Sequence, residues 1–363
     1  MSQKAKKSQT TEKYLMKGNE AIAEAAIRAG CRYFFGYPIT PQTEVAAYMA
    51  KRMPEVDGVY LQAESELAAI NMVLGAAAAG KRAMTSSSSP GISLKSEGIS
   101  YIAASDLPCV IVNVQRGGPG LGGIQPSQAD YFQATKGLGH GDFHLMIFAP
   151  AGIQEVVDLV DAAFNLADRY RVPAMILADG ITGQMMEPVV FSNKEHKTLP
   201  PKSWATVGHQ NKREPNIINS LHLSPKVLED TVLDRYSRYQ QIAENEVRYE
   251  SYRTDDAELI VVAYGSTARI VKSVVNEARE SGIRVGLFRP ITLWPFPTEA
   301  IRTLCENTAQ FLCVEMSMGQ MVEDVRLAVE GRRPVGFYGR TGGCIPGPEE
   351  IMGKILEMMG GEA

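Results

Sequence analysis

The 363-residue chain reads as an α/β protein of two doubly wound, mainly parallel-sheet domains. Three observations lead there. Helical and strand-like segments alternate from Asn19 to about Pro188 and again from Leu259 to Leu356. Such alternation calls for a sheet covered on both faces. The segment 173–177 is apolar without a break and 108–114 is broken only by Asn113, as suits doubly covered strands. The length allows two or three domains with ample core.

In chain order, residues 1–17 read as a short, partly disordered arm able to touch a neighbour. A helix at 19–29 leads into a strand at 32–37. A helix at 42–52, a short strand near 59–62 and a helix at 64–79 follow. The last is nearly all Ala, Leu, Ile, Met and Glu, strong helix formers. A strand at 82–86 leads to a helix from about 92 to 104. Strands at 108–114 and 144–148, a helix at 153–170 and a strand at 172–178 close a first domain over 18–191. Residues 192–256 are polar, with Pro200, Pro201, Trp204 and a charged helical stretch. They read as a linker, or as a helical arm packing on another subunit. The second domain, 257–363, opens on the buried strand ELIVVAY. In GST (265–267), Ser266 or Thr267 is placed to cap a helix. A strand at 285–288, a helix at 298–305, a strand at 310–314, a helix at 320–330 and a capped terminal helix complete it.

Composition narrows the function. Apolar content of 45% and charged content of 21% suit a soluble globular protein. The 37 basic and 41 acidic residues leave a net charge of −4, with no basic stripe for nucleic acid. No apolar run approaches the roughly 18 residues of a membrane span, and the N-terminus has no apolar signal core. A cytoplasmic location is the expectation. The five cysteines form no CxxC, which argues against an iron–sulfur cluster, a zinc site or a disulfide framework in this chain. GAAAAGK (75–81) has Walker spacing but ends a helix and lacks the Ser or Thr that holds Mg²⁺, so Gly80 reads as a helix C-cap. His140 and His144 share no helical face, so no metal is expected there.

Two stretches carry candidate chemistry. GYPITP (36–41) follows an aromatic strand, and Pro38 and Pro41 hold Thr40 extended or in a turn at a strand end, where open α/β sheets bind ligands. In the next helix Glu66 shares a stripe with Ala69, Ile70 and Val73. A carboxylate there needs a partner or a purpose. The alternative is a solvated first-turn glutamate favoured by the helix dipole. QRGGPGLGGIQPSQ (115–128) ends an apolar strand at Arg116 and places five glycines within the next seven residues. Arg116 is either an exposed arginine on a flexible turn or a fork for a carboxylate. SSSSPG (86–91) offers hydroxyls for a substrate, though helix capping is the better single reading.

GYPITP, the glutamate-led helix and the strand ending in QRGG together resemble the α subunit of 2-oxoacid:ferredoxin oxidoreductases, over roughly Gly18 to Met358. These thiamine-diphosphate enzymes cleave 2-oxoacids, pass electrons to ferredoxin and release an acyl-CoA. The resemblance implies a pyrimidine-binding domain followed by a transketolase C-terminal-like domain, with RPITLWPFP (289–297) and VEMSMGQM (314–321) as landmarks that serve packing. Arg289 is a candidate interface residue. It implies Glu66 at the pyrimidine N1′, with Glu64 as fallback, and Tyr37, Pro38 and Ile39 around the cofactor. Thr40 and Arg116 would bind substrate beside Ser88 and Gly117, with Arg116 on the 2-oxoacid carboxylate. The GDG…N signature for Mg²⁺ and diphosphate is absent, Asp179-Gly180 coming nearest. By resemblance that half of the cofactor site lies in a β subunit, and iron–sulfur clusters lie in γ and ferredoxin-like subunits. Coenzyme A and ferredoxin complete the partner set.

The loop after Arg116 has no Lys or Arg until Lys136, unlike the GPSTG-type loop of 2-oxoglutarate members. It is most similar to branched-chain, 2-oxoisovalerate members; pyruvate and 2-oxoglutarate remain alternatives. Two other classes stay open: a thiamine enzyme without iron–sulfur chemistry, and a catalytically silent scaffold subunit.

Overall fold

The computed structural model describes residues 12–191 and 199–360. The first unit runs β1 (Tyr14–Lys17), α1 (Gly18–Arg28), β2 (Tyr33–Gly36), α2 (Thr43–Arg52), β3 (Val59–Gln62) and α3 (Glu66–Ala78). It continues with β4 (Ala83–Ser87), α4 (Ser89–Ala104), β5 (Val110–Gln115), α5 (Tyr131–Thr135), β6 (Met146–Phe148) and α6 (Ile153–Tyr170). β7 (Ala174–Asp179), α7 (Gly180–Gln184), β8 (Met186–Val189) and α8 (Pro225–Asn245) follow. The second unit comprises β9 (Tyr249–Tyr252), β10 (Leu259–Val262), α9 (Gly265–Glu280), β11 (Val285–Pro290), β12 (Thr292–Trp294) and α10 (Thr298–Leu304). It ends with β13 (Gln310–Glu315), α11 (Met321–Val329), β14 (Val335–Gly339) and α12 (Pro348–Met358).

Two α/β sheets result, as the alternation requires. The first has seven strands in the order β12-β6-β7-β5-β4-β2-β3, parallel except for β12. The second has five, β14-β13-β10-β11-β9, parallel except for β9. Both exceptions are edge strands. Central strands β5 and β10 are buried at every position, which explains the unbroken apolar sequence of β10 and the mainly apolar one of β5, interrupted at Asn113 and Gln115. α6 matches its expected span to the residue because its apolar positions recur at helical spacing, Val156, Val160, Ala163 and Ala167 all facing the core.

The units are interlocked. One hydrophobic cluster contains Ile111 and Leu177 of the first sheet together with Ile260, Val262, Phe288 and Phe311 of the second. The strand Thr292–Trp294, inside RPITLWPFP, crosses over to pair with β6. Arg289 binds Glu155 of α6 through two bonds of 2.8 and 2.9 Å and Glu250 of β9 at 2.9 Å, so it joins the units within the chain. Gln128 accepts from Thr267 Oγ1 at 2.8 Å and donates to the Tyr264 carbonyl at 2.9 Å.

Several local expectations change. The last four residues of the expected arm form β1, which pairs with β8 of the same chain, while 1–11 lie outside the described residues. Within 192–256, residues 192–198 also lie outside them. α8 is no free linker: Arg235, Tyr239 and Ile242 are buried on this chain, and Arg235 and Arg238 both bind Asp106. Tyr249–Tyr252, expected in the linker, joins the second sheet. Ser266 and Thr267 do not cap α9, because their hydroxyls bind Asp179 at 2.6 Å and Gln128 at 2.8 Å. Gly80 (φ +76°) follows α3 as expected, with its N–H on Ala77 O and that of Lys81 on Ala76 O.

Candidate functional site

β2 lies between β3 and β4, so the chain order reverses there and a crevice opens at the carboxyl ends of the strands. Four loops or helix starts converge on it: Tyr37–Thr40 after β2, the start of α3 after β3, Ser87–Ser89 after β4, and Arg116 after β5.

Glu66 opens α3 beneath an N-cap in which Ser65 Oγ accepts from Ala68 N at 3.2 Å. Its side chain is 6% exposed and shares a stripe with buried Ala69, Ile70 and Val73. The solvated-glutamate alternative therefore fails. Among the described residues no donor bonds its carboxylate. Glu64, outside the helix, is exposed.

Gly91 explains how Glu66 meets β4. A Cβ at Gly91 would clash with Ser87 Oγ and stand 2.8 Å from Glu66 Oε1. Only glycine lets that helix turn sit between the hydroxyl and the carboxylate.

The capping role expected of the serine run is not seen. α4 begins at Ser89, three residues before its expected start, and Ser88 is its N-cap residue but makes no side-chain cap bond. The hydroxyls of Thr85, Ser87 and Ser88 are buried without a partner. Ser89 instead donates to Asp130 Oδ2 at 2.6 Å and accepts from Arg116 N at 3.0 Å. Asn113 donates to the same Asp130 oxygen at 2.9 Å. Burial raises the Asp130 carboxyl, against the lowering effect of those two donors.

Arg116 is 9% exposed. Its Nη1 donates to Thr40 O at 2.9 Å and its Nη2 to Leu121 O at 3.1 Å, while Nε is buried without a partner. The structure thus ties the YPITP loop to the glycine-rich loop through one guanidinium. Gly117 is buried beside it, its N–H on Gln125 O at 3.0 Å and its carbonyl accepting from Gly123 N at 2.9 Å. Gly122 (φ +55°) closes this turn where a Cβ would strike the Gly117 carbonyl. Tyr37, Pro38 and Thr40 are exposed and Ile39 is half-buried, so the loop lies open along the crevice. Gln42 holds it from below, donating to Tyr37 O at 3.3 Å and accepting from Ser86 Oγ at 2.5 Å.

Sequence reasoning missed Gly91, Ser89, Asp130 and Lys95. Lys95 is wholly buried in α4, and its Nζ donates to the Glu66 carbonyl at 3.2 Å. The signal available was the lysine's place on an otherwise apolar face with Ile92 and Ile99. Among the described residues no cluster of three His, Cys, Asp or Glu side chains is placed to hold a metal ion. His144 stacks on Trp294 at 4.5 Å, and burial lowers its pKa. Asp179 caps α7 through Thr182 N at 3.0 Å and accepts from Ser266, so it serves the joint between units.

Comparison with known proteins gives the family. Residues 24–254 match the model for pyruvate flavodoxin/ferredoxin oxidoreductase, thiamine diphosphate-binding. Residues 257–351 match pyruvate:ferredoxin oxidoreductase core domain II. The ketoisovalerate oxidoreductase subunit VorB of Methanothermobacter thermautotrophicus is 49% identical over 95% of this chain and 98% of its own length. The chain belongs to the 2-oxoacid:ferredoxin oxidoreductases. Within this family the 2-oxoglutarate synthase subunit KorA of the same organism is 37% identical, over 96% of this chain and 99% of its own. The 2-oxoglutarate:ferredoxin oxidoreductase from Magnetococcus marinus, solved with 2-oxoglutarate, coenzyme A and succinyl-CoA bound, superposes with a TM-score of 0.85 at 27% identity. It is covered over 96% of this chain and 66% of that one. A split-gene transketolase at 14% identity and a TM-score of 0.59, over 94% of this chain and 97% of its own, shares the fold alone. The chain is thus a subunit of a thiamine-diphosphate-dependent oxidoreductase that has partner subunits. No helix among its described residues is long and apolar enough to cross a membrane.

Proposed function

We propose that this chain is the α-type subunit of a 2-oxoisovalerate:ferredoxin oxidoreductase, converting branched-chain 2-oxoacids to acyl-CoA and CO₂ while reducing ferredoxin. The observation that carries the substrate is the higher identity to ketoisovalerate subunits, 49%, than to 2-oxoglutarate synthase subunits, at most 37% among those compared. The loop after Arg116 supports it. It presents Leu121 and Ile124, 85% and 59% exposed, and no base that could meet a distal carboxylate.

When bound, thiamine diphosphate supplies the carbanion-stabilising chemistry for decarboxylation. The crevice fits the pyrimidine end of that group: a buried carboxylate without a protein donor, partnerless serine hydroxyls and a turn that only glycine allows. Glu66, in its dry first-turn position, would face the pyrimidine N1′ and hold a proton there, which favours the imino tautomer. Tyr37, Pro38 and Ile39 line the same end. Thr40 and Ser88 offer hydroxyls to the substrate, and Gly117 lets backbone approach it. Arg116, with Nε free and the rest of its fork held by Thr40 and Leu121, binds the 2-oxoacid carboxylate. The absence of GDG…N supports a partner β subunit as holder of the diphosphate and Mg²⁺. The absence of CxxC supports assigning the iron–sulfur clusters to γ and ferredoxin-like subunits, in a complex we read as cytoplasmic.

The test is kcat/KM for 2-oxoisovalerate, pyruvate and 2-oxoglutarate on the purified complex, with coenzyme A and oxidised ferredoxin. The expected order puts 2-oxoisovalerate first; a win for 2-oxoglutarate would refute the loop argument.

A further inference from the structure

Lys95 has no part in the reading above, yet it is the most unusual side chain near the site. Lysine is almost never fully buried unless paired. This one sits in the middle of α4 at 0% exposure, and its ammonium turns inward to the first turn of α3 rather than reaching solvent. There it donates to the carbonyl of Glu66 itself at 3.2 Å. The charged groups on the surrounding elements are otherwise engaged. Glu97 of α4 bonds Tyr101 in an exposed pair, Asp130 is held by Ser89 and Asn113, and Arg116 is tied to Thr40 and Leu121. Glu64 is exposed outside α3. Burial pushes the Lys95 ammonium down to about 8, and the charge of Glu66 opposes it by favouring the protonated form.

We propose that Lys95 is a positioning residue for Glu66, fixing the first turn of α3 through its carbonyl and supplying the counter-charge for its buried carboxylate. This rests on the reading of Glu66 as the acceptor at the pyrimidine N1′. The consequence concerns protonation. A positive charge held at the backbone of Glu66 eases loss of a proton from the pyrimidine–carboxylate pair. Removing it makes the pair hold that proton to higher pH.

The test uses the whole complex loaded with thiamine diphosphate and Mg²⁺, without substrate. The circular-dichroism band of the iminopyrimidine form is followed against pH in the parent protein, K95M, K95Q and K95R. Met preserves length and apolar volume, so the core is expected to accept it. K95M and K95Q are expected to move the midpoint of the band upward by about one pH unit, a size typical of one nearby charge. K95R, which keeps the charge, is expected to stay near the parent. Equal midpoints in all four proteins, with only the unfolding temperature altered, would show Lys95 to be packing and overturn the inference. A parent complex with no thiamine-dependent band at any pH would instead overturn the reading of Glu66, and the inference with it.

Discussion

Each unit has a buried glutamate at or just past a strand end, Glu315 closing β13 and Glu66 opening the helix after β3, and the two are treated in opposite ways. Glu315, the last residue of β13, is wholly buried and accepts from Gln320 N, Met321 N, Val322 N and Ser317 Oγ at 2.9–3.1 Å. Its lone pairs are saturated by the start of α11. Glu66 is nearly as buried, but no described donor bonds its carboxylate, and the hydroxyls of Ser87 and Ser88 nearby are equally unpartnered. Buried polar groups are normally satisfied. A saturated carboxylate belongs to the architecture, whereas one left open at a strand-end crevice is free to meet a ligand.

The sharpest way to break this contrast is to remove one charge from each glutamate. E66Q is expected to lower 2-oxoacid turnover of the complex by 10²- to 10⁴-fold, the usual worth of a positioned acid–base group, with little change in unfolding temperature. E315Q is expected to do the reverse, destabilising the chain by about 2–4 kcal/mol because backbone donors lose a charged acceptor. Denaturant titration and steady-state rates separate the two. If E66Q turned over at half the parent rate, the open glutamate would be idle and the chain a scaffold.

Lys95 gives the next effect. Its ordinary pKa of 10.5 falls to about 8 in the fold, a difference of about 3 kcal/mol. Below pH 8 the folded chain bears the full cost of a buried ammonium. Between pH 8 and 10.5 the unfolded chain holds the extra proton, so stability rises with pH across that window. K95M is therefore expected to be more stable than the parent at pH 7, by up to about 3 kcal/mol. That advantage should fade towards pH 10.5, as read from urea midpoints at several pH values.

G91A tests the geometry rather than the charge. Its methyl group would push apart Ser87 and Glu66, and turnover is expected to fall by about 10- to 100-fold, with the cofactor still bound. The smallest effect belongs to S88A. Removing a partnerless hydroxyl is expected to leave the unfolding temperature unchanged within about 2 °C, while KM for the 2-oxoacid rises a few-fold. A clear loss of stability would mean that Ser88 has a structural partner after all.

Much of the fold was legible in the sequence because its signals are local. α6 and the apolar central strands declare themselves by periodicity and composition. Glu66 could be singled out from its stripe, and Arg116 from its place at a strand end before a glycine-rich turn. What escaped depends on distant partners. β1, β8, β9 and β12 are only three or four residues long and exist because another strand lies beside them. Ser266 and Thr267 look like helix caps until Asp179 and Gln128, far away in sequence, claim their hydroxyls. Ser88 sits where a cap should be and makes no cap bond. Lys95 stands on an apolar face with Ile92 and Ile99, but where its ammonium goes is decided only by α3 lying across it.

The crossing of Thr292–Trp294 onto β6 bears on how this polypeptide can be cut. A fragment stopping at residue 256 would leave the backbone of β6 bare along one side and strip the shared apolar cluster of Ile260, Val262 and Phe288. Such a naked edge invites self-association. Expression of either half by itself should therefore yield aggregates, and any bisected version must be made by supplying both pieces together.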